Sequence, residues 1–284
     1  MRLASFRVDG RSTYGAITDG GIVDLGKRLG AKYPALIDLI RADALAEARA
    51  AGGAPEHKPN DVEFVPPVPG TEKIICIGIN YPERADEYKG EREKPKYPNL
   101  FVRFPGSFVG HDGALVRPKV SEKFDYEGEI VLVIGKAGRH IPRAKAREHI
   151  FGMTLGNEGS VRDWIRHGTV NVTQGKNFDD SGSLGPWIAT ADEVDPSKPL
   201  RVQTRVNGDL RQNDTTDRLT FDFAYLINYI STFTTLKPGD MIFTGTPVGA
   251  GGHQTPPKWL VPGDVLEVTV QEIGTLRNHV IDEK

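Results

Sequence analysis

The sequence predicts a β-rich α+β fold with a small N-terminal domain, residues 1–70, and a larger domain, residues 71–284. Most apolar segments are short and are bounded by Gly, Pro, Asn or Asp, as strands are. The regular alternation of strands and helices that is typical of a doubly wound parallel sheet is missing. A chain of 284 residues can hold one large domain, or a small domain and a larger one.

The predicted N-terminal domain begins with strands and ends in a linker. Residues 1–24 alternate short strand patterns with turn residues, which predicts β-hairpins. Residues 33–50 space their apolar side chains along about one helical face, so this segment is predicted to be a helix. Residues 52–71 are rich in Gly and Pro and form the best candidate linker. We therefore place the domain boundary near residue 70.

The larger domain is predicted to contain most of the strands. A hairpin signal, Asn207-Gly208, follows one strand pattern, and a Pro-Gly-Asp turn introduces each of the last two. The predicted strands are residues 73–79, 127–134, 201–206, 241–244 and 265–270, and the predicted helices are residues 142–150 and 221–233.

Composition and charge exclude several classes of partner. The net charge of -2 gives no attraction to nucleic acid or to an anionic membrane, and no basic run is interleaved with aromatic residues. No apolar stretch reaches the length of a membrane span, and the N-terminus lacks the apolar core of a signal peptide. The single cysteine, Cys76, lies in an apolar segment and is predicted to be a buried, inert thiol. We expect a cytoplasmic protein.

The segment Asp125-Tyr126-Glu127-Gly128-Glu129 leads into a run of β-branched and aliphatic residues that predicts a buried strand. Because residues two apart in a strand project to the same face, Glu127 and Glu129 are predicted to point the same way. Two carboxylates beside an apolar core repel each other, so one takes up a proton or a cation lies between them. Oxygen ligands suit Mg²⁺ or Mn²⁺ better than zinc. The alternative is that this end of the strand reaches solvent.

Several motifs, taken in their order along the chain, resemble those of the fumarylacetoacetate hydrolase family. The resemblance covers about residues 70–284 and includes the segment of Glu127 and Glu129. The other motifs are Ile77-Gly78-Ile79-Asn80-Tyr81, Gly156-Asn157-Glu158-Gly159-Ser160-Val161-Arg162-Asp163-Trp164, Gly175-Lys176-Asn177-Phe178-Asp179, Leu184-Gly185-Pro186-Trp187 and Thr244-Gly245-Thr246-Pro247-Val248-Gly249-Ala250-Gly251.

The resemblance implies a fold and a metal site. The fold would be a mixed β-sandwich roll behind a small N-terminal α/β domain, and the protein would be a homodimer. The metal ligands would be Glu127, Glu129 and Glu158, with Mg²⁺ or Mn²⁺ as the ion. The family usually has Asp at the third position, so Glu158 is one methylene longer. The ion would hold a 2-keto acid by its carboxylate and keto oxygens and stabilise an enolate.

The resemblance also implies a set of residues that face the substrate. Lys176 matches the substrate-facing lysine, while Arg103 and Ser107 match a segment that lines the pocket and in which Lys is more frequent. Arg162 would either salt-bridge the metal carboxylates or hold the substrate. The Gly-rich turn at Thr246 would offer its hydroxyl and backbone N–H groups to a carboxylate. The implied substrate-binding residues are Tyr81, Arg103, Ser107, Arg162, Lys176, Gly245 and Thr246.

The charged segment of residues 81–98 matches a family segment that covers the site, so we expect a lid. Hydrolases and decarboxylases of the family carry a His-x-x-Glu pair here that activates water. In this sequence Glu87 is retained, but Arg84 stands in place of the histidine, and arginine cannot be a general base near neutral pH. Three alternatives are open. In the first, Glu87 is the only base and Arg84 positions it. In the second, the enolate chemistry involves no hydrolysis. In the third, His111 or another group supplies the base.

Taken together, these features predict an enzyme that acts on a small 2-keto or 2,4-diketo acid through an enolate held at Mg²⁺ or Mn²⁺. Its catalytic residues would be Glu87, Lys176 and Arg84. Hydrolytic C–C cleavage is the leading activity, and isomerisation, tautomerisation or decarboxylation of a 2-oxo dicarboxylic acid is the second. The resemblance suggests a role in catabolism. The alternative from another class is a non-catalytic protein that binds a metal or a small acid, which Arg84 favours.

Overall fold

Strands dominate the structure, which is a computed structural model that describes residues 1–88, 96–169 and 171–284. In chain order the strands are β1 (Arg2–Val8), β2 (Arg11–Thr18), β3 (Gly21–Asp24), β4 (Glu63–Phe64), β5 (Ile74–Gly78), β6 (Asn99–Val102), β7 (Phe108–Val109), β8 (Ala114–Arg117), β9 (Phe124–Asp125), β10 (Gly128–Ile134), β11 (Ile150–Asn157), β12 (Ser160–Val161), β13 (Gly182–Thr190), β14 (Arg201–Val206), β15 (Asp209–Thr215), β16 (Met241–Phe243), β17 (Val265–Val270) and β18 (Gly274–Asp282).

The helices are short, apart from the last α-helix. The α-helices are α1 (Leu25–Leu29), α2 (Leu36–Arg41), α3 (Leu45–Ala50), α4 (Thr173–Lys176) and α5 (Phe223–Phe233). The 3₁₀ helices are Pro59–Asp61, Pro82–Arg84, Asp86–Tyr88, Pro105–Ser107, Arg143–His149, Trp164–Arg166, Thr216–Arg218 and Gly251–His253. No helix among the described residues has the length and apolar composition needed to span a bilayer.

Two sheets build the body of the molecule. In the described residues, the larger sheet has the strand order β3-β2-β1-β13-β11-β10-β16-β5-β6, with β4 paired to β1 and β7 paired to β13. The smaller sheet has the order β15-β14-β17-β18-β8, and β12 pairs with β9 separately. This arrangement confirms the predicted β-rich α+β class. Strand β1 pairs with β13, so the large sheet includes strands from both predicted domains. The boundary near residue 70 stays a prediction.

Strand β10 lies in the interior of the large sheet and is buried on both faces. Ile130 and Leu132 belong to an apolar cluster that includes residues of α5 and of the smaller sheet. Val131 and Val133 belong to a second cluster, which includes apolar residues of α1 and α2. The alternation follows from the two-residue period of a strand. The carboxyl groups at the start of β10 are therefore fixed by a strand that is packed on both sides.

Two helix predictions differ from the structure. The predicted helix of residues 33–50 is two helices, α2 and α3, because the chain turns at Asp43, whose φ of 50° is left-handed and cannot continue an α-helix. The predicted helix of residues 142–150 is instead the 3₁₀ helix Arg143–His149. The hairpin predicted at Asn207-Gly208 joins β14 and β15.

Gly128 provides a test of the packing between the two sheets. A Cβ at Gly128 would lie 2.0 Å from Thr204 Oγ1 and 3.2 Å from Val268, both in the smaller sheet. Gly128→Ala should therefore push the sheets apart and lower the free energy of unfolding by about 1–3 kcal/mol, measured by urea unfolding. Gly106→Ala is the control, because the nearest atom to its Cβ would be 3.9 Å away. Equal stability of the two variants would contradict this account.

Candidate active site

Two paired strands bring three glutamates together. Glu129 lies in β10, Glu127 directly precedes that strand, and Glu158 directly follows β11. Antiparallel pairing places Gly128 opposite Asn157, and the Glu158 backbone N–H donates to the Glu127 carbonyl at 2.8 Å. Each glutamate is buried, and each offers one carboxylate oxygen within 4.8 Å of the others. The structure thus brings together the three residues predicted as metal ligands.

The three carboxylates differ in their electrostatics. Burial raises the pKa of Glu129 well above its usual range, and the charges of Glu158 and Glu127 raise it further. Burial also raises the pKa of Glu158, to about 7, although Lys176 opposes this. Burial would raise the pKa of Glu127 too, but Lys176, Arg162 and Arg84 outweigh that effect and hold it well below its usual range. The cations of the protein therefore compensate the charge of Glu127 but not fully that of Glu129 and Glu158.

More cationic side chains contact Glu127 than contact Glu129 or Glu158. Lys176 Nζ lies 2.6 Å from Glu127 Oε2 and 2.9 Å from Glu158 Oε1. Glu127 Oε1 accepts hydrogen bonds from Arg84 at 2.9 Å and from Arg162 at 2.6 Å. Burial lowers the pKa of Lys176, but Glu127 and Glu158 together outweigh it, so the net shift is upward and the ammonium stays charged.

The donor set fits a divalent cation that prefers oxygen ligands. All three groups are carboxylates, which are ligands that Mg²⁺ and Mn²⁺ favour. Glu158 Oε1 is buried without a hydrogen bond, although Lys176 lies close enough for an ion pair. A dication beside Glu129 and Glu158 would relieve the repulsion that raises both pKa values. Glu127, Glu129 and Glu158 are the residues that would hold it.

A cavity of about 970 Å³ opens over the three carboxylates. Leu100 and Phe101 of strand β6 line it, and so does Trp259. The basic lining residues in the described part of the chain are Arg84, Lys96, Arg162, Arg166 and Lys176. A cavity with this lining attracts a small anion.

The described part of the predicted lid ties Arg84 and Glu87 together. Arg84 is only 2% exposed and forms an ion pair with Glu87 through Nη1, while its Nη2 bonds to Glu127. The other Glu87 oxygen, Oε1, accepts the backbone N–H of Gly249 at 2.8 Å. Residues 89–95 of the predicted lid lie outside the described residues.

Four of the predicted substrate-binding residues are not among the residues that line the described cavity: Tyr81, Arg103, Ser107 and Gly245. Arg103 bonds to the Gly159 carbonyl at 3.0 Å and to Ser181 at 2.9 Å, and its Nη1 lies 3.8 Å from Glu158 Oε1. Ser107 accepts from Arg103, and Tyr81 is 2% exposed. This geometry suits support of the site better than contact with substrate.

The Gly-rich turn uses its donors inside the protein. The Gly245 N–H bonds to Glu129 Oε2 at 2.7 Å. The Thr246 hydroxyl donates to the Gly128 carbonyl at 3.0 Å and accepts from Gln212 at 2.8 Å. The turn therefore presents an N–H group to a carboxylate of the protein itself, that of Glu129, and its contact with a substrate carboxylate stays a prediction. Thr246 still lines the cavity.

Sequence reasoning missed three residues that organise the site. Asp125 is fully buried and accepts Arg162 Nε at 2.7 Å, and Asn157 Oδ1 accepts the Glu127 N–H at 3.0 Å. His253 lines the cavity and reaches the Glu87 carbonyl with Nδ1 at 3.1 Å. Asp125 is the first residue of the acidic strand segment, Asn157 lies within the motif of Glu158, and His253 follows the Gly-rich motif by two residues, so proximity to these motifs was the available signal.

The comparison with protein families decides the family. Residues 73–281 match the profile described as fumarylacetoacetate (FAA) hydrolase C-terminal. The chain belongs to the fumarylacetoacetate hydrolase family. This confirms the family that the sequence motifs predicted. It also confirms the prediction that the protein is an enzyme of the hydrolase or isomerase kind found in this family.

The chain is similar to curated proteins named as oxaloacetate tautomerases. It is 34% identical over 266 residues to the mitochondrial oxaloacetate tautomerase of Rattus norvegicus, across 92% of this chain and 84% of that protein. It is 39% identical over 225 residues to the oxaloacetate tautomerase YisK of Bacillus subtilis, across 78% of this chain and 74% of that protein.

Solved structures with this fold include both hydrolases and isomerases. The fumarylacetoacetate hydrolase of Exiguobacterium antarcticum has a TM-score of 0.83 at 31% identity. The 5-carboxymethyl-2-hydroxymuconate delta-isomerase of Mycobacterium smegmatis has a TM-score of 0.78 at 28% identity. The maleylpyruvate hydrolase of Sphingobium sp. SYK-6, in complex with manganese(II) and pyruvate, has a TM-score of 0.82 at 28% identity. Each similarity covers 100% of both chains.

Glu129→Gln should stabilise the metal-free protein and abolish its response to divalent ions. A carboxyl group whose pKa is higher in the folded chain lowers stability as pH rises above the ordinary value of 4.5. Without metal, the variant should melt a few degrees above wild type at pH 8, with a difference that shrinks toward pH 4. Added Mg²⁺ or Mn²⁺ should raise the Tm of wild type alone.

Glu63→Gln is the control for this measurement, because the Glu63 side chain is 65% exposed and lies outside the carboxylate cluster. It should leave both the pH dependence and the response to metal as in wild type. Scanning calorimetry with and without a chelator measures both effects. An equal rise in Tm with Mg²⁺ in wild type and in Glu129→Gln would contradict the assignment of Glu129 as a ligand.

Proposed function

We propose that this enzyme interconverts the keto and enol forms of a small 2-oxo dicarboxylic acid, with Mg²⁺ or Mn²⁺ as cofactor. The observation that carries the proposal is the position of Arg84, which lies between Glu87 and Glu127 at the edge of a cavity above three buried carboxylates. Arginine holds its charge throughout the neutral range, so it orients and neutralises groups and does not activate water.

The charges around the cavity support a dianionic substrate. Arg84, Lys96, Arg162, Arg166 and Lys176 line it together with the three glutamates. A bound divalent ion would supply Lewis-acid stabilisation of the charge that develops on the 2-oxo oxygen. Glu87 pairs with Arg84 and Asp125 pairs with Arg162, which adds two carboxylates to the three glutamates. With the ion present, the seven positive charges exceed the five carboxylates by two, and a substrate with two carboxylates balances that excess.

The hydrogen bonds of Glu87 favour tautomerisation over hydrolysis. Hydrolysis needs a base that takes a proton from water, and both Glu87 oxygens already accept bonds, one from Arg84 and one from the Gly249 N–H. Tautomerisation also needs a group that moves a proton, but it needs no activated water, so it does not depend on Glu87 as the base. The names of the similar tautomerases from Rattus norvegicus and Bacillus subtilis support the same choice.

Hydrolytic C–C cleavage is the second candidate. The similar maleylpyruvate hydrolase, solved with manganese(II) and pyruvate, favours it, because pyruvate is a small 2-oxo acid. Glu87, retained from the His-x-x-Glu pair, would then be the base, and Glu87→Gln should slow hydrolysis by about 10²–10⁴-fold. Decarboxylation of a 2-oxo dicarboxylic acid would use the same cavity. The homodimer implied by the resemblance stays a prediction.

A turnover screen separates these activities. The enzyme should speed the approach of oxaloacetate to keto–enol equilibrium, followed by ultraviolet absorbance, more than it releases pyruvate from acylpyruvates or from oxaloacetate. The activity should require Mg²⁺ or Mn²⁺ and should disappear with a chelator and in Glu129→Gln. Faster release of pyruvate from an acylpyruvate than tautomerisation of any 2-oxo dicarboxylate would favour hydrolysis instead.

Lys176→Met should separate substrate turnover from metal binding. The ammonium is buried against Glu127 and Glu158 and lines the cavity, so it is placed to hold a substrate anion. Its loss should reduce kcat/KM by about 10²–10³-fold. Metal affinity in calorimetry should stay equal or rise, because Lys176 competes with an ion for the same oxygens.

Lys73→Met is the control for this substitution, because Lys73 pairs with Asp240 away from the cavity. Its kinetics should match wild type. A parallel loss of metal affinity and turnover in Lys176→Met would show that the lysine supports the metal site and does not contact the substrate.

A further inference from the structure

A histidine that belongs to none of the predicted motif roles lies at the cavity. His253 ends the 3₁₀ helix Gly251–His253, which follows the Gly-rich turn. It is partly buried and lines the same cavity as Arg84, Glu127 and Lys176. The tautomerisation proposed above needs a group that moves a proton, and arginine at position 84 cannot do so.

The loop that carries His253 is held by specific contacts. Asp125 accepts the backbone N–H groups of Gly251 at 2.8 Å and Gly252 at 3.0 Å. A Cβ at Gly251 would lie 2.0 Å from the Lys258 carbonyl oxygen, and one at Gly252 would lie 2.7 Å from the Trp259 ring. Only glycine fits both positions without displacing its neighbours, so the backbone before His253 is fixed.

The hydrogen bond of His253 selects its tautomer. Nδ1 lies 3.1 Å from the Glu87 carbonyl oxygen, which can only accept, so Nδ1 carries the proton. In the neutral ring Nε2 is then the basic nitrogen. Burial lowers the pKa of His253, and the nearby charges of Arg84 and Arg162 lower it further, while Glu87 opposes them. The ring is therefore neutral near pH 7.

We propose that His253 is the residue that moves the proton between the carbon next to the oxo group and the oxo oxygen. This inference rests on the proposed tautomerase function. Three observations support this inference: the packed loop that holds His253, the cavity that it shares with the carboxylates, and the hydrogen bond from its Nδ1–H to the Glu87 carbonyl.

The proposed step balances without any other reactant. In the keto-to-enol direction, the C–H bond next to the oxo group breaks and Nε2 of His253 takes the proton. The electron pair forms the carbon–carbon double bond, and the π pair of the carbonyl moves to its oxygen. The imidazolium then returns its proton to that oxygen, which releases the enol and the neutral ring.

The other candidate bases fit less well. Glu87 is not among the residues that line the described cavity, and it forms an ion pair with Arg84. His111 pairs with Asp112 and accepts the Arg277 N–H, and it lies outside the residues that line this cavity. In the described part of the chain, His253 is the histidine that lines this cavity, and the other histidines do not line it.

The test uses His253→Asn, which keeps an N–H donor for the Glu87 carbonyl but has no basic nitrogen. Exchange of substrate methylene protons for deuterium is followed by NMR with oxaloacetate and 2-oxoglutarate in the presence of Mg²⁺, above the spontaneous rate. The variant should lose about 10²–10³-fold in exchange rate. Its KM and its Mg²⁺ affinity should stay within about threefold of wild type.

His253→Ala is the second variant, and free imidazole should restore part of its rate whereas sodium chloride at the same ionic strength should not. A His253→Asn rate within about threefold of wild type, or an unimpaired His253→Ala, would overturn the inference and leave the proposed function standing. A wild-type protein that exchanges neither substrate would overturn the proposed function itself. A loss in His253→Ala that His253→Asn does not share would show that the ring only holds Glu87.

Discussion

The rest of the site depends on one constraint, which is the burial of three carboxylates at the start of a central strand. Glu127, Glu129 and Glu158 sit within reach of one another in an environment that disfavours charge. Lys176, Arg84 and Arg162 neutralise Glu127, and this leaves Glu129 and Glu158 with raised pKa values. The cations, the Arg84–Glu87 ion pair and the Gly-rich turn are all arranged around that imbalance.

The fold makes such a cluster possible because β10 is packed on both faces. Side chains on one face join the cluster of α5 and the smaller sheet, and those on the other join the cluster of α1 and α2. Gly128 lets the smaller sheet approach closely between the two glutamates. The backbone that carries the carboxylates is therefore fixed by packing on both faces of the strand.

Much of this could be predicted from the sequence, because the strand period and the motif order are local. The strand period indicated that Glu127 and Glu129 face the same way, and the family resemblance implied Glu158 and Lys176. The structure brings these four residues together. The break at Asp43 was missed because an apolar helical pattern does not reveal a left-handed residue.

The roles of Asp125 and His253 depend on contacts that no local pattern encodes. Asp125 bonds to the amides of Gly251 and Gly252, which lie more than a hundred residues away along the chain. His253 bonds to the Glu87 carbonyl across a similar separation. Tertiary packing alone brings these partners together, and the engagement of the Thr246 hydroxyl with Gly128 has the same cause.

The position of Lys176 has a consequence for how the protein handles ions. Its ammonium bonds to Glu127 and lies 2.9 Å from Glu158, so it acts as an internal counter-ion when the cluster holds no dication. A protein without such a group would face the full repulsion of its buried carboxylates and would tend to open locally. With Lys176 in place, the buried carboxylates keep a cation of the protein's own beside them, so the fold of the site would not depend on a bound ion.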